Sequence, residues 1–368
     1  MPMLVRAAVL TKYLDVTQNL GFNPHDVMAV VGLSKAQLQA PEYRIPIDAA
    51  VRLLEDSAAA SGCQTVGLSM AESRQLSDFG VVSLLLSHQR TLREALQVMV
   101  RYRHLMNDSL AIFVEDAGKM AIIRTEMVTE SPMPSRQATE LAIGVIFRLC
   151  STLLGSHWHP YSVNFMHQPP DNLHLHRRLF GCNLEFGSEF NGIVCSDASL
   201  DMINPNADPA MARYAQSYLD SLQSPEGTSM LFEVRKAIYL LLPMGRATIE
   251  QIAQSQGMNV RTLQRRLKED GCAFNDLIND VRRALVLRYL ENPNNSLSHI
   301  ADMFGFSMAS SFTRWFINQF GMPPAVWRSA QQSTDSSLNG RCRPQAFLST
   351  RQKKTATAGT VAAENRCL

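Results

Sequence analysis

Thr248–Gly271 reads TIEQIAQSQGMNVRTLQRRLKEDG, and its spacing predicts two short helices joined by a tight turn. Thr248 and Gln251 have capping-box spacing, and Ile249, Ile252 and Ala253 form one apolar stripe. Ala253 is small, so a second helix can approach closely. Gly257 falls where the turn needs a positive φ, which costs glycine least. Asn259 is placed to cap a second helix over Val260–Asp270. On that helix Leu263 and Leu267, at i and i+4, face inward, while Arg261, Gln264, Arg265 and Lys268 face outward. A polar helix presented in this way is the form that enters a DNA major groove.

The chain then repeats the unit. Leu297–Gly321, LSHIADMFGFSMASSFTRWFINQFG, aligns with it at an offset of 48, setting Ile252 on Ile300, Ala253 on Ala301 and Gly257 on Gly305. One residue is inserted after the turn, so Leu263, Arg265 and Leu267 fall on Phe312, Arg314 and Phe316 at an offset of 49. A helix-period stretch, Phe274–Leu290, lies between the two copies. At 1.5 Å per residue it spans roughly 25 Å, a spacer suited to two reading helices set near the ~34 Å repeat of the major groove.

Charge is distributed to match. Residues 1–227 hold 17 Lys+Arg against 23 Asp+Glu, a net of −6, whereas 228–330 hold 12 against 8, a net of +4. Residues 331–368 hold 6 against 2, again +4. The basic excess therefore lies with the repeated unit, as phosphate contact requires. Seven cysteines, odd in number and without a C-x-x-C pair, predict reduced thiols in a cytosolic protein rather than a disulfide framework. The longest apolar runs, such as Val81–Leu86 and Ala237–Leu242, are too short to span a bilayer, so no membrane partner is expected.

Upstream, helices are predicted over Val5–Leu20, Pro24–Val31 and Pro46–Ser61, the last between a proline at its start and Gly62 past its end. Asp78 is expected to cap Phe79–His88, and Thr91 with Glu94 to cap a helix running through Met106. Ser109–Glu115 and Met120–Glu126 read as a hairpin. Arg136–Leu154 is apolar nearly all round and predicted to be central. Strands at Ser162–Met166, Leu184–Phe186 and Gly192–Cys195 surround a short helix at Asn172–Phe180, and Pro209–Leu222 is helical again. That order argues for an α+β domain rather than a βαβ sheet. The expected organisation is an α+β regulatory domain over 1–222, a linker at 223–227, an all-α domain with two helix-turn-helix units over 228–330, and a disordered tail over 331–368.

The repeated unit resembles the DNA-binding domain of the AraC/XylS family of bacterial transcription regulators. Two helix-turn-helix units, a linking helix, Gly305-Phe306, and Gly321-Met322-Pro323-Pro324 followed by Trp327-Arg328 carry that resemblance. The upstream half resembles the arabinose-binding-like domain of the branch that includes ornithine-utilisation and mycobacterial virulence-type regulators. Its marks are Arg44-Ile45-Pro46, Arg101-Tyr102-Arg103-His104, Phe165-Met166-His167 and Phe180-Gly181-Cys182. Two features depart from the family: the short side chains Ala309-Ser310-Ser311 in the second reading helix, and the long tail.

Base contacts in the first unit are assigned to Arg261, Thr262, Gln264 and Arg265, because arginine bonds guanine at two points and glutamine does the same with adenine. Arg266 and Lys268 are assigned to phosphates. In the second unit the matching positions are Ala309, Ser310, Ser311, Thr313 and Arg314; only Arg314 has long reach, which predicts weaker base readout. The resemblance implies an effector-sensing or dimerising upstream domain. Arg101, Tyr102, Arg103, His104 and Arg136 are its candidate effector contacts, for a small carboxylate or amphipathic molecule. Arg136 and Glu140 also have the spacing of an ordinary helix-surface pair.

His157, His159, His167, His174 and His176 lie close together with Cys182 nearby, but prolines at 160, 169 and 170 break any ligand spacing. Packing and surface histidines are expected, and no metal or cofactor. Nucleophile-elbow, Walker and H-E-x-x-H signatures are absent from the sequence. The expected function is a non-enzymatic, sequence-specific regulator. It is expected to work as an effector-responsive activator that binds a promoter as a homodimer, engages RNA polymerase, and resides in a bacterial cytoplasm and on the nucleoid. The rivals are a ligand-independent repressor or architectural protein whose upstream domain only dimerises, and an enzyme fused to a helix-turn-helix domain.

Overall fold

In the computed structural model, which describes residues 3–131, 133–222 and 230–337, the chain opens on a strand where Val5–Leu20 reads as a helix. β1 (Leu4–Arg6) pairs antiparallel with β2 (Arg44–Pro46), which buries Val5 against Ile45. A 3-10 turn follows over Ala7–Leu10, and Lys12, at φ 74, delays the helix until α1 (Tyr13–Asn19). A strand partner some forty residues away has overridden the local period. Then come α2 (His25–Val30), α3 (Lys35–Leu38), α4 (Ile47–Ser61), α5 (Val66–Glu72), α6 (Val82–Ser87) and α7 (Leu92–Arg101).

Two predicted ends move. The Asp78 carboxylate accepts from the Gln75 N–H at 2.9 Å and closes a 3-10 turn over Leu76–Phe79, so α6 starts at Val82 rather than Phe79. Thr91 caps α7 as expected, but Tyr102 leaves the helix and Arg103–Leu105 tightens into a 3-10 turn short of Met106.

β3 (Leu110–Ala117) and β4 (Met120–Met127) form the predicted hairpin, closing on Ala117 opposite Met120. After α8 (Arg136–Leu154) come β5 (Ser162–Phe165), α9 (His174–Phe180), β6 (Asn183–Phe186) and β7 (Gly192–Ser196). The sheet order is β3-β4-β7-β5-β6, antiparallel except for β5–β6, which are parallel and joined through α9. One βαβ crossover thus sits inside an otherwise antiparallel α+β sheet. α10 (Asp197–Leu200) and α11 (Pro209–Ser221) end this half, α11 capped by the Asp208 carboxylate.

Fourteen of the nineteen residues of α8 are buried, so it has neighbours on every side. Ile143, Ile146 and Phe147 share a core with Ile123, Val163 and Ile193 of the sheet; Ala138, Leu141 and Ala142 share another with Leu54, Val66 and Met70. α5 and α8 meet closely because neither has bulk at the crossing. A Cβ on Gly67 would stand 2.0 Å from the Gln137 carbonyl oxygen, and one on Gly144 would stand 2.6 Å from the Ala71 Cβ. By length and composition this helix is apolar enough to cross a membrane, but here it is the buried core of a two-sided package.

The second half is all helix: α12 (Met230–Leu241), α13 (Ile249–Ser255), α14 (Val260–Glu269), α15 (Phe274–Glu291), α16 (Leu297–Met303), α17 (Ala309–Phe320) and α18 (Pro324–Ser337). Chain contacts group Met1–Phe312 as one unit and Thr313–Leu368 as another, with the boundary inside α17. Within the latter, the Phe316 and Phe320 rings lie 4.4 Å apart and Trp315 meets both edge-on. α18 runs seven residues into the stretch expected to be tail, since Ser329–Gln331 offers no breaker to stop it. The linker expected at 223–227 and the rest of the tail, 338–368, lie outside the described residues. The described cysteines are free thiols.

Candidate nucleic-acid interface

The first helix-turn-helix forms as its local signals dictate. Thr248 and Gln251 complete a reciprocal capping box on α13, and the Asn259 carboxamide oxygen accepts from the Thr262 N–H at 2.8 Å to start α14. Gly257 has φ +63 with open space around it, so the backbone angle, not crowding, selects glycine there. Ile252, Ala253, Leu263 and Leu267 are buried to 1% exposure or less and hold α14 against α13. The opposite face of α14 is open: Arg261, Gln264, Arg265, Arg266 and Lys268 are exposed, and Thr262 is half-buried. Arg265 has one loose partner, Glu269 at 3.8 Å, with both side chains mostly in solvent.

The second unit begins in the same way, with Ser296 capping α16 and Ile300 and Ala301 fully buried. Its turn is fixed from outside. Arg282 on α15 donates from Nε to the Phe304 carbonyl at 3.0 Å, and its guanidinium lies 4.6 Å from the centre of the Phe306 ring. Tyr289, about two turns further along α15, meets Phe304 edge-on. The linking helix is thus a clamp on the second turn as well as a spacer. Ala309 and Ser310 are exposed and Ser311 half-buried; Met308, just ahead of them, is 62% exposed. Further along α17, Thr313 is half-buried and Arg314 exposed.

The candidate effector residues do not converge. Arg101 and Tyr102 both reach Asp220 on α11, at 3.3 and 2.6 Å. The His104 carbonyl accepts from Arg44. Arg136 donates to Glu140, whose same carboxylate oxygen lies 3.2 Å from His167 Nε2 and 3.3 Å from His176 Nε2. Glu140 and His176 are fully buried, and Phe165, Phe180 and Phe186 surround the two imidazoles. His157, His159 and His174 are exposed elsewhere, and no metal-binding group of three or more His, Cys, Asp or Glu residues occurs among the described residues.

Arg103 points instead to the helical half. It bonds Glu233 of α12, while Lys236, one turn on, lies 2.9 Å from Asp108 and 2.7 Å from Glu233. Further along the same junction Arg288 of α15 bonds Glu126 of β4 and Ser135. Tyr289 and Asn292 donate to the carbonyls of Glu189 and Gly187, and His299 Nε2 lies 2.7 Å from the Glu189 carboxylate. Two helices that frame the first helix-turn-helix are therefore seated on the β3–β4 hairpin and the β6–β7 loop by paired charges and hydrogen bonds. Sequence alone left this junction unseen, because its partners lie more than a hundred residues apart, Arg103 from Glu233 and Glu126 from Arg288.

Residues 21–204 match the arabinose-binding domain at the N-terminus of AraC transcription regulators, and residues 252–330 match a helix-turn-helix domain. The chain is 30% identical over 328 residues to the HTH-type transcriptional regulator VirS of Mycobacterium tuberculosis, covering 89% of this chain and 96% of that one. It is 24% identical over 336 residues to the ornithine utilization regulator of Pseudomonas aeruginosa, covering 89% and 97%. Among solved structures, the transcriptional regulator CdpR from Pseudomonas aeruginosa aligns over 85% of this chain and 98% of that chain, at 18% identity and a TM-score of 0.39.

Proposed function

We propose, for a chain that belongs to the AraC/XylS family of transcription regulators, that it reads two adjacent promoter segments with its two helix-turn-helix units, under the control of a small effector. The observation behind this is the exposed face of α14, which gathers four cations and a glutamine on a helix anchored by Leu263 and Leu267. Arg261, Thr262, Gln264 and Arg265 read bases in the first segment, and Arg266 and Lys268 hold phosphates. Ala309, Ser310, Ser311, Thr313 and Arg314 serve the second segment with less hydrogen-bonding reach. Regulatory residues 1–222 and DNA-binding residues 228–330 are the working domains.

The charged junction between the hairpin and α12 and α15 supports effector control. A ligand that favours one seating of these helices over another shifts the population able to bind DNA, by its difference in affinity for the two. In this scheme the protein acts in the cytoplasm as a dimeric activator that presents RNA polymerase with an occupied promoter.

Selection of binding sites from random duplexes, followed by footprinting and titration at several salt concentrations, tests the proposal. Two protected segments about one helical turn apart are expected, with the stronger sequence preference in the one bound by α14. Enrichment without sequence preference, or of one segment alone, would overturn it.

A further inference from the structure

Between α4, α7 and α8, behind β1, lies a cavity of about 110 Å3 whose walls are mostly apolar, among them Leu54, Leu141, Val145, Met99 and Leu110. It approaches in size the roughly 150 Å3 apolar cavity that takes up benzene. Two cations line it. Arg6 is already held by Glu42, with Nε donating at 2.8 Å. Arg74 is 7% exposed and gives its terminal nitrogens to the carbonyls of Ala8 and Val9, at 2.8 and 2.5 Å. Its nearest carboxylate, Asp78, stands 3.9 Å off and is already engaged by the Gln75 N–H. The Arg74 Nε–H is buried with no hydrogen-bond partner among the described residues. Burial brings the Arg74 pKa down to about 10, which leaves it a cation at neutral pH. A buried guanidinium answered by two carbonyls and one carboxylate 3.9 Å away carries a desolvation cost only partly relieved, which an arriving anion would offset.

We propose that this cavity takes a small organic carboxylate with an apolar body of about four to five carbons, its head group beside Arg74, and that Met99 and Leu110 report its presence to the DNA-binding half. The second part rests on the effector-controlled function proposed above; the first does not. Met99 and Leu110 also wall a second cleft, of about 220 Å3, together with Arg103, Glu233, Lys236 and Gln256. The segment between those two wall residues holds Arg103 and Asp108, the partners of Glu233 and Lys236 on α12. Gln256 ends α13, directly before the turn into α14. An occupant that pushes on Met99 and Leu110 therefore acts on the seat of α12 and on the approach to the reading helix.

The full chain is titrated with sodium hexanoate, with hexan-1-ol (chain without charge) and acetate (charge without chain), while thermal unfolding and calorimetric binding are followed. Hexanoate should raise the melting temperature saturably, with the other two probes acting at least fivefold more weakly. Val145→Phe fills the cavity from the α8 wall and keeps Arg74, and should still unfold cooperatively yet lose the hexanoate response. Arg74→Gln should bring the hexanoate response down to that of hexanol. An equal response to hexanol in the parent protein, or an undiminished response in Val145→Phe, overturns the site. With selected duplexes, hexanoate should change DNA affinity at least fivefold in the parent and not in Val145→Phe. Hexanoate bound at a site blocked by Val145→Phe, with DNA affinity unchanged, overturns the relay and leaves the site standing. A saturable hexanoate response without sequence-selective DNA binding refutes the promoter-reading function and leaves the site standing.

Discussion

Arg265→Ala and Lys268→Ala separate base reading from phosphate holding on one helix. Arg265 is 69% exposed at its side chain, and its partner Glu269, at 3.8 Å, is 60% exposed. Such a pair contributes under about 1 kcal/mol. Alanine, the best helix former, recovers part of that. The fold should therefore be stable to within about 0.5 kcal/mol of the parent. The DNA term is larger. Losing a two-point guanine contact costs about 1–3 kcal/mol, or roughly 5- to 150-fold in affinity, at one base position only. Lys268 lies one turn further toward the C-terminus of α14, where a side chain meets backbone rather than base edges. Its removal should weaken every duplex alike and lower the log–log salt slope by about 0.9.

The assay is competition binding by fluorescence anisotropy, with single-base variants of the selected site at three or more salt concentrations. Thermal melts of each variant run alongside. Arg265→Ala should flatten the preference at one position and leave the ranking elsewhere intact. Should both variants lose affinity uniformly across all duplexes, the base-reading face of α14 has been assigned to the wrong residues.

Three further outcomes follow from buried or clamped groups. Burial lifts the Glu55 carboxyl to about 7, against a hydrogen bond from the Gln137 N–H that pulls it down. The folded state therefore binds the proton more tightly than the unfolded, and stability is lost as pH rises from about 4.5 to 7, by up to about 3 kcal/mol. Glu55→Gln should raise the denaturant midpoint at pH 8 and make little difference at pH 4. Lys236→Met removes a 4% exposed residue's ammonium from between Asp108 and Glu233. Breaking such a cluster costs about 3–5 kcal/mol, seen as faster amide exchange in α12 and β3 before α14 responds. Arg282→Met loses the bond to the Phe304 carbonyl and the stack on Phe306. A loss of about 1–3 kcal/mol should weaken protection of the second DNA segment in a footprint and spare the first.

The reading helix was legible because everything that makes it lies within a few residues: the Thr248 box, Gly257, the Asn259 cap and the Leu263–Leu267 stripe. α8 was legible for the same reason, since a nineteen-residue apolar helix ending at Gly155 needs no distant partner to be recognised. β1 was not, because Val5 is buried by Ile45 rather than by its sequence neighbours. Nor was the β5–α9–β6 crossover, whose short strands carry too little period to fix a direction. Charged residues divide along the same line. Arg261 and Arg265 lie on an open surface, so a local helical face announces them. Arg101, Arg103 and Arg136 drew attention as polar groups in apolar surroundings, yet each is answered by a carboxylate: Asp220, Glu233 and Glu140. Arg74 drew none, as one charge in the run Glu72-Ser73-Arg74-Gln75, yet it lines a cavity with a buried N–H unanswered. What separates Arg101 and Arg103 from Arg74 is a close carboxylate from a distant element, Asp220 or Glu233, where Arg74 has only Asp78 at 3.9 Å; Arg136 takes its partner from its own helix. That distinction appears only once α11 and α12 are packed beside α7, so a sensing site in this half has to be sought among buried cations short of a close partner.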